Sequence, residues 1–291
     1  MSVLDVTGAG GTSRFGGVLS RICHGPIEVA AVLIAAAYVI LAVGAPLLAP
    51  YDPNVQNLRA TLASPSVQHW LGTDEYGRDL LSRLLFGARS SIMVGVSVVA
   101  LSSLIGGAFG ILAGMRRGIV DTLVMRTSDV TMAFPQLVLA LGFIAALGAG
   151  ITSAIIALTA AYAPIFVRIV RSSVLVIRQE AYVEAARLIG VSPVRIALRH
   201  ILPNAMGPIL VQSAMTFAFA VLAESSLSFV GLGVPPPTAS FGNIIAAGRD
   251  HVGDAPWIAT SAGVGIVLLV LSLLLLADAF RDAIDPYQHR S

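Results

Sequence analysis

Four stretches of this chain carry no charged side chain over a length that can cross a lipid bilayer, and a fifth carries one. They are Val29–Tyr51, Ser90–Met115, Val130–Val167 and Ala255–Ala277, with Asn204–Val230 interrupted only by Glu224. Nothing else in the sequence constrains the fold as much. Inside hydrocarbon every backbone N–H and C=O must find its partner within the protein, so an apolar run of about 20 residues folds as a helix. The run Val130–Val167 is 38 residues long, too long for one crossing, and Gly148-Ala149-Gly150 breaks it. It reads as two helices joined by a tight turn, which makes six membrane helices in all. Gly106-Gly107 and Gly110 in the second run suit close helix–helix approach, because small residues let backbones pack where lipid supplies no hydrophobic drive.

Composition agrees. Of 291 residues, 56% are hydrophobic and 12% charged, against roughly 25% charged in soluble domains. Mean hydropathy is +0.85. All 18 basic residues are arginine, so the phosphate-binding lysine of a Walker A loop is absent and ATP chemistry must lie on another chain. Cys23 is the single cysteine; it can form no intrachain disulfide and has no metal-site spacing. No paired metal motif, HExxH or GxSxG occurs. A net charge of +2 is too small to point to nucleic acid. Residues 1–26 read as a mobile, Gly/Ser-rich tail, residues 27–51 as a retained first transmembrane helix rather than a cleaved signal, and residues 282–291 as a second tail. No internal repeat is evident.

Six crossings put both termini on one side. With the N-terminus inside, thirteen arginines fall in the cytoplasm (14, 21, 116, 117, 126, 168, 171, 178, 187, 195, 199, 281 and 290) and five outside (59, 78, 83, 89 and 249). That asymmetry supports cytoplasmic termini. Residues 172–204 then form a cytoplasmic loop, while residues 52–88 and 232–256 lie outside. Residues 89–281 hold the second to sixth helices.

The cytoplasmic loop has its own local code. Gln179–Ile189 is helix-prone, with Glu180 and Glu184 near its start. Gly190 can take the left-handed conformation that ends a helix. Ser192 is a good N-cap and Pro193 suits the first turn of a second helix. Leu202-Pro203 then marks the start of the fifth membrane helix. Read from residues alone, this could be a plain amphipathic connector.

The pattern Glu184-Ala185-Ala186-x3-Gly190-x11-Leu202-Pro203 resembles the signature loop of permease subunits of binding-protein-dependent ABC importers. Where that family usually has isoleucine, this chain has His200, followed by Ile201; the Arg-His-Ile-Leu-Pro-Asn form is similar to the peptide-importer branch. Two further blocks resemble the C-type permease of dipeptide and oligopeptide importers: Leu71-Gly72-Thr73-Asp74-Glu75-Tyr76-Gly77-Arg78-Asp79 before the second span, and Ser228-Phe229-Val230-Gly231-Leu232-Gly233-Val234-Pro235-Pro236-Pro237-Thr238 after the fifth. The resemblance implies an all-α type I importer permease. In that family Glu184, Ala185, Ala186, Gly190, Ser192, Pro193, Leu202 and Pro203 belong to a loop that docks on a separate ATPase. It implies a second permease subunit, two ATPase subunits or domains carrying ATP and Mg, an extracytoplasmic peptide-binding protein, and surrounding membrane lipid. This chain would carry no cofactor or catalytic residue. A permease for nickel or another small solute is the alternative within the family, an ion-coupled secondary transporter or a membrane enzyme outside it.

On the outer side, Leu80, Leu81, Leu84 and Leu85 recur at helical spacing beside Arg78, Asp79, Ser82 and Arg83. This fits a short interfacial helix or the polar start of the second span. Pro235-Pro236-Pro237 cannot continue a helix and predicts a stiff turn. By the resemblance, Arg78, Asp79, Pro235, Pro236, Arg249 and Asp250 are candidate contacts for the binding protein; as plain residues they are a solvated loop. Glu224, with Ser225 and Ser228, either lines the pore exit or bonds within the protein, since a carboxylate exposed to lipid is costly. Asp129 reads as structural.

Overall fold

In a computed structural model of the chain, residues 25–116 and 118–284 are described. The expected N-terminal tail and all but the first three residues of the C-terminal one therefore lie outside the described residues, as does Cys23. Among the described residues ten α-helices follow in order: α1 (Pro26–Leu48), α2 (Leu80–Met115), α3 (Ile119–Met132), α4 (Gln136–Leu147), α5 (Ile151–Ile177), α6 (Ala181–Leu188), α7 (Pro193–Ile196), α8 (Leu202–Phe229), α9 (Phe241–Arg249) and α10 (Trp257–Ile284). A π-helical turn, Ala197–Ile201, joins α7 to α8. Five spans are long and apolar enough to cross a membrane: α1, α2, α5, the α7–α8 run and α10.

The helices α3 and α4, bent by 95° at Ala133–Pro135, pass the same test of length and apolarity only when taken together, and counted as one broken span they make a sixth. Pro135 has no N–H to give a preceding turn, so the helix stops there and α4 starts afresh. The predicted boundary at the glycines is also present: Gly148 and Gly150 have φ of +86° and +154° and separate α4 from α5. Upstream, α3 begins at Ile119, inside the charged stretch. Its acids are matched by α5: Arg171 donates to Asp121 (Nη2–Oδ2 2.7 Å) and Arg168 to Asp129 (2.7 Å). Asp129 thus ties α3 to α5.

Residues 80–88 are not a separate interfacial helix. They are the first turns of the 36-residue α2, which Asp79 caps ten residues before the uncharged run begins, with Arg83 paired to Asp74 inside the protein. The tight seam of the bundle is α2 against α5. A Cβ at Gly106, Gly110 or Gly114 would come within 2.5, 2.8 and 2.6 Å of α5 atoms, so this glycine column sets the interaxial distance; a Cβ at Gly107 would meet nothing.

Three apolar clusters stack along the bundle. One joins α1, α2, α8, α9 and α10 around Leu80, Phe241, Ile258 and Leu269. A middle one joins α2, α4, α5 and α8 around Val94, Ile144, Leu158 and Leu227. The third joins the arginine-rich end of α5 to the loop helices.

Candidate coupling site

The loop after α5 is built as two short helices and a hinge. Glu180 precedes α6, and Gly190, with φ +81°, ends it. The N–H of Gly190 donates to the carbonyl of Arg187 (3.1 Å) and that of Val191 to the carbonyl of Ala186 (3.0 Å). That pair of bonds is a Schellman closure, and Val191 packs back on the same apolar cluster as Ala186. A Cβ on Gly190 would meet no atom within 4 Å, so the backbone angle alone demands glycine. Ser192 stands at the N-cap position of α7 with Pro193 at its first turn, but its hydroxyl makes no capping bond. The expected position is right and the expected bond is not made.

Pro203 explains the π turn. It cannot donate to the carbonyl of Arg199 and its ring crowds that carbonyl. The chain widens instead, and Leu202 donates to Ala197, five residues back. Asn204 then secures the turn, giving its amide to the carbonyl of His200 (2.6 Å) and to the Tyr182 hydroxyl (3.2 Å). The rings of Tyr182 and His200 lie 6.1 Å apart, which makes His200 a packing residue.

The loop has two faces. Val183, Ala186, Ile196 and Ile201 are buried against Phe166, Val170 and Val174 of α5. Arg178 reaches across to the carbonyl of Gly114 at the end of α2 (2.8 Å). The opposite face is open: Glu184, Ala185, Gly190, Ser192 and Pro193 are exposed. So are Leu188 at 83% and Ile189 at 81%, with Val194 and Leu198 beside them in sequence. The motif did not single out these four. Their signal was present: an apolar Leu-Ile pair sits directly before the hinge glycine of an arginine-rich loop. Large apolar side chains left in water next to a self-consistent core mark a surface that another protein covers.

The other candidate positions are distributed differently. Glu224 is fully buried, 0% exposed. It accepts from Ser91 of α2 (2.9 Å) and from Ser228 (2.7 Å), with the Ser225 hydroxyl 3.5 Å away. Ser228 also accepts from the N–H of Val234 (2.9 Å). Glu224, Ser225 and Ser228 therefore do not line an opening; they fasten α8 to α2 and to the turn beyond. Of the two readings of Glu224, bonding within the protein is the observed one.

Arg78 and Asp79 are 6% and 3% exposed, and as surface contacts they are corrected. Asp74 is the hub that buries them. It accepts from Arg78 Nε (2.7 Å) and lies 3.3 Å from Arg83 Nε. Asp79 caps α2 through the Ser82 N–H (2.8 Å) and meets His69 Nδ1 at 2.9 Å. Arg83 also donates to the carbonyls of Pro53 and Pro237. Gly77 closes this cap: its φ is +70°, and a Cβ there would fall 1.9 Å from the Asn57 carbonyl oxygen. Pro235, Pro236, Arg249 and Asp250 are exposed, and Arg249 pairs with Asp250 at 3.0 Å. The loop between residues 232 and 256 also contains α9, which the sequence reading missed; Phe241 and Ile244 of α9 are buried in the core. Among the described residues no group of acids, histidines and cysteines could hold a metal ion.

Comparison with known proteins gives the family context. Residues 106–289 match the model of the binding-protein-dependent transport system inner membrane component. A putative peptide transport system permease protein of Brucella suis biovar 1 is 48% identical over 248 residues, 85% of this chain and 83% of that one. The di/tripeptide transport system permease protein DppC of Pseudomonas aeruginosa is 41% identical, covering 85% and 84%. The probable D,D-dipeptide transport system permease protein DdpC of Escherichia coli K12 is 38% identical, covering 90% and 88%. Among solved structures, a chain of the MetNI methionine ABC transporter in an inward-facing conformation superposes with a TM-score of 0.56 at 21% identity, over 71% of this chain and 98% of that one. That likeness is one of fold.

Proposed function

This chain belongs to the family of binding-protein-dependent transport system inner membrane components and is a permease subunit of an ABC importer, and on that premise we propose that it carries peptides. Relatives at 38–48% identity over most of the chain are named as peptide, dipeptide or tripeptide permeases. In this reading the pathway forms between this chain and a second, related permease. ATP and Mg bind on two partner ATPase subunits or domains, and an extracytoplasmic binding protein delivers the peptide to the outer face, where Pro235, Pro236, Arg249 and Asp250 remain available to meet it.

The observation that carries the coupling half of this reading is the two-faced loop. Its exposed edge at Leu188 and Ile189 would seat on an ATPase, while its buried face is continuous with the core of α5. A displacement imposed on α6 and α7 passes through Val183 and Ile196 into Phe166 and Val170. From α5 it passes into α2 across the glycine column and the Arg178–Gly114 bond. Coupling is then a mechanical bias between two states of the permease pair, with no covalent step on this chain.

The test is reconstitution of this chain with its ATPases, with and without a second permease, in liposomes supplied with binding protein and labelled peptide. ATP-dependent uptake only when both permeases are present is the expected result. Uptake by this chain as the sole permease would refute the heterodimer, and binding-protein-stimulated ATP hydrolysis with no peptide uptake would refute the cargo.

A further inference from the structure

Where α2 ends, a cleft of about 740 Å³ opens between the span and the coupling loop. Three guanidinium groups line it from three elements: Arg116 at the C-cap of α2, Arg178 at the C-cap of α5 and Arg187 in the last turn of α6. Its apolar walls are the flank of α2 at Ala108, Ile111 and Leu112 and, facing it from the coupling loop, Val191, Val194 and Leu198. Among the described residues neither Arg116 nor Arg187 makes an ion pair, and both are exposed. Ala108 lies eight residues before Arg116, about 12 Å back along the helix at 1.5 Å per residue. The cleft therefore begins at a triple cation on the arginine-rich side and runs into the depth of an uncharged span.

A soluble protein segment would meet hydrocarbon long before it reached Ala108. A free phosphate or nucleotide would satisfy the arginines and leave the apolar wall bare. An amphiphile satisfies both ends at once. We propose that this cleft is a binding site for one anionic phospholipid, its phosphate held by Arg116, Arg178 and Arg187 and one acyl chain lying along Ala108, Ile111 and Leu112. Clusters of arginine at the cytoplasmic end of membrane helices attract anionic headgroups in this way. Because Arg187 belongs to the coupling loop and Arg116 to α2, a bound lipid would brace the loop against the span it must move.

The test uses the complete transporter, solubilised from bilayers containing equal phosphatidylglycerol and phosphatidylcholine, with the co-purifying lipids counted by mass spectrometry. Two variants attack the two ends of the site: R116Q/R187Q removes cations, and Ala108→Trp fills the apolar wall without touching charge. R126Q removes an exposed arginine of the same side away from the cleft. Retained phosphatidylglycerol is expected to fall about thirtyfold in R116Q/R187Q, given that each of the two surface cations contributes on the order of 1 kcal/mol to anionic-lipid attraction, to fall clearly below wild type in Ala108→Trp, and to hold in R126Q. Undiminished retention in either cleft variant, or an equal loss in R126Q, would overturn a specific site. Displacement of the lipid by millimolar inorganic phosphate would identify a free-anion site instead. A photoreactive residue at position 108 that captures an ATPase subunit rather than lipid would assign the cleft to protein. Retention is read without transport, so its outcome is independent of the cargo and of the permease pairing.

Discussion

The two ends of this permease solve opposite problems. At the outer end, polar groups are folded inward: Asp74 pairs with Arg78 and Arg83, Asp79 bonds Ser82 and His69, all four are buried, and Arg83 reaches two backbone carbonyls in separate segments. At the inner end, apolar groups are turned outward: Leu188, Ile189, Val194 and Leu198 stand in solvent on a loop whose hinge is held by two backbone bonds. The first end is complete in itself. The second is incomplete until something covers it. A buried ion-pair network tolerates little displacement, because separating it strands charge in a low dielectric; an amphipathic loop on a glycine hinge moves as a unit. On the proposed mechanism, the outer cap is the fixed frame and the coupling loop the part through which force would enter.

The largest effect that can break this contrast is Asp74→Asn. It strands two buried guanidinium groups and is expected to cost about 3–5 kcal/mol, seen as loss of folded protein in detergent thermal unfolding. A variant of near wild-type stability would mean the cap is not the frame. Next, Gly110→Leu drives a side chain into the backbone of Val167 and is expected to cost about 1–3 kcal/mol by overpacking, with α2 and α5 pushed apart. Cross-linking of cysteine pairs across that seam should weaken, and unchanged cross-linking would deny the glycine column its role.

Gly190→Val sharpens the contrast from the other side. A β-branched residue at φ +81° costs on the order of 1–2 kcal/mol locally. The overall fold should survive while uptake falls steeply. Normal uptake at normal abundance would count against the hinge. Ser192→Ala is the smallest: since the hydroxyl makes no capping bond, stability should move by less than about 0.5 kcal/mol, and a drop of about 1 kcal/mol, the worth of a working N-cap, would show that the cap forms in the assembled transporter. Orientation of the two ends is checked by impermeant thiol labelling in a Cys23→Ser background. Position 238 should label in intact cells and position 192 should not; the reverse pattern would invert the comparison.

Much of this was legible in the sequence because the bilayer imposes a simple rule. Charge-free length locates α1, α5 and α10, and Gly148 and Gly150 announce their turn. Gly190 and Pro203 each force a local geometry that no neighbour can override. What was not legible came from pairing. Arg83 and Asp121 look like the ends of spans when counted as charges, yet Arg83 is neutralised by Asp74 in the preceding cap and Asp121 by Arg171, fifty residues on, so α2 and α3 begin earlier than the charge-free runs. The break at Ala133–Pro135 falls only three residues inside the uncharged run, where Pro135 alone marks it. The nine-residue α9 is hidden by its length: it lies between a proline turn and a polar loop, and its Phe241 is apolar because it is buried, a fact that only the packing displays. Arg78 and Asp79 looked like docking residues for the same reason: charge in a loop reads as surface until its partner is seen.

Whether the exposed apolar edge of the loop is the ATPase seat decides how force would enter this permease. A photo-cross-linking amino acid placed at Leu188, with Val252 on the opposite side of the membrane as the matched exposed control, measures this in the assembled transporter. Capture of an ATPase subunit from position 188 and none from position 252 is the expected result. Absence of an ATPase adduct at 188 in a complex that still hydrolyses ATP and imports peptide would contradict it.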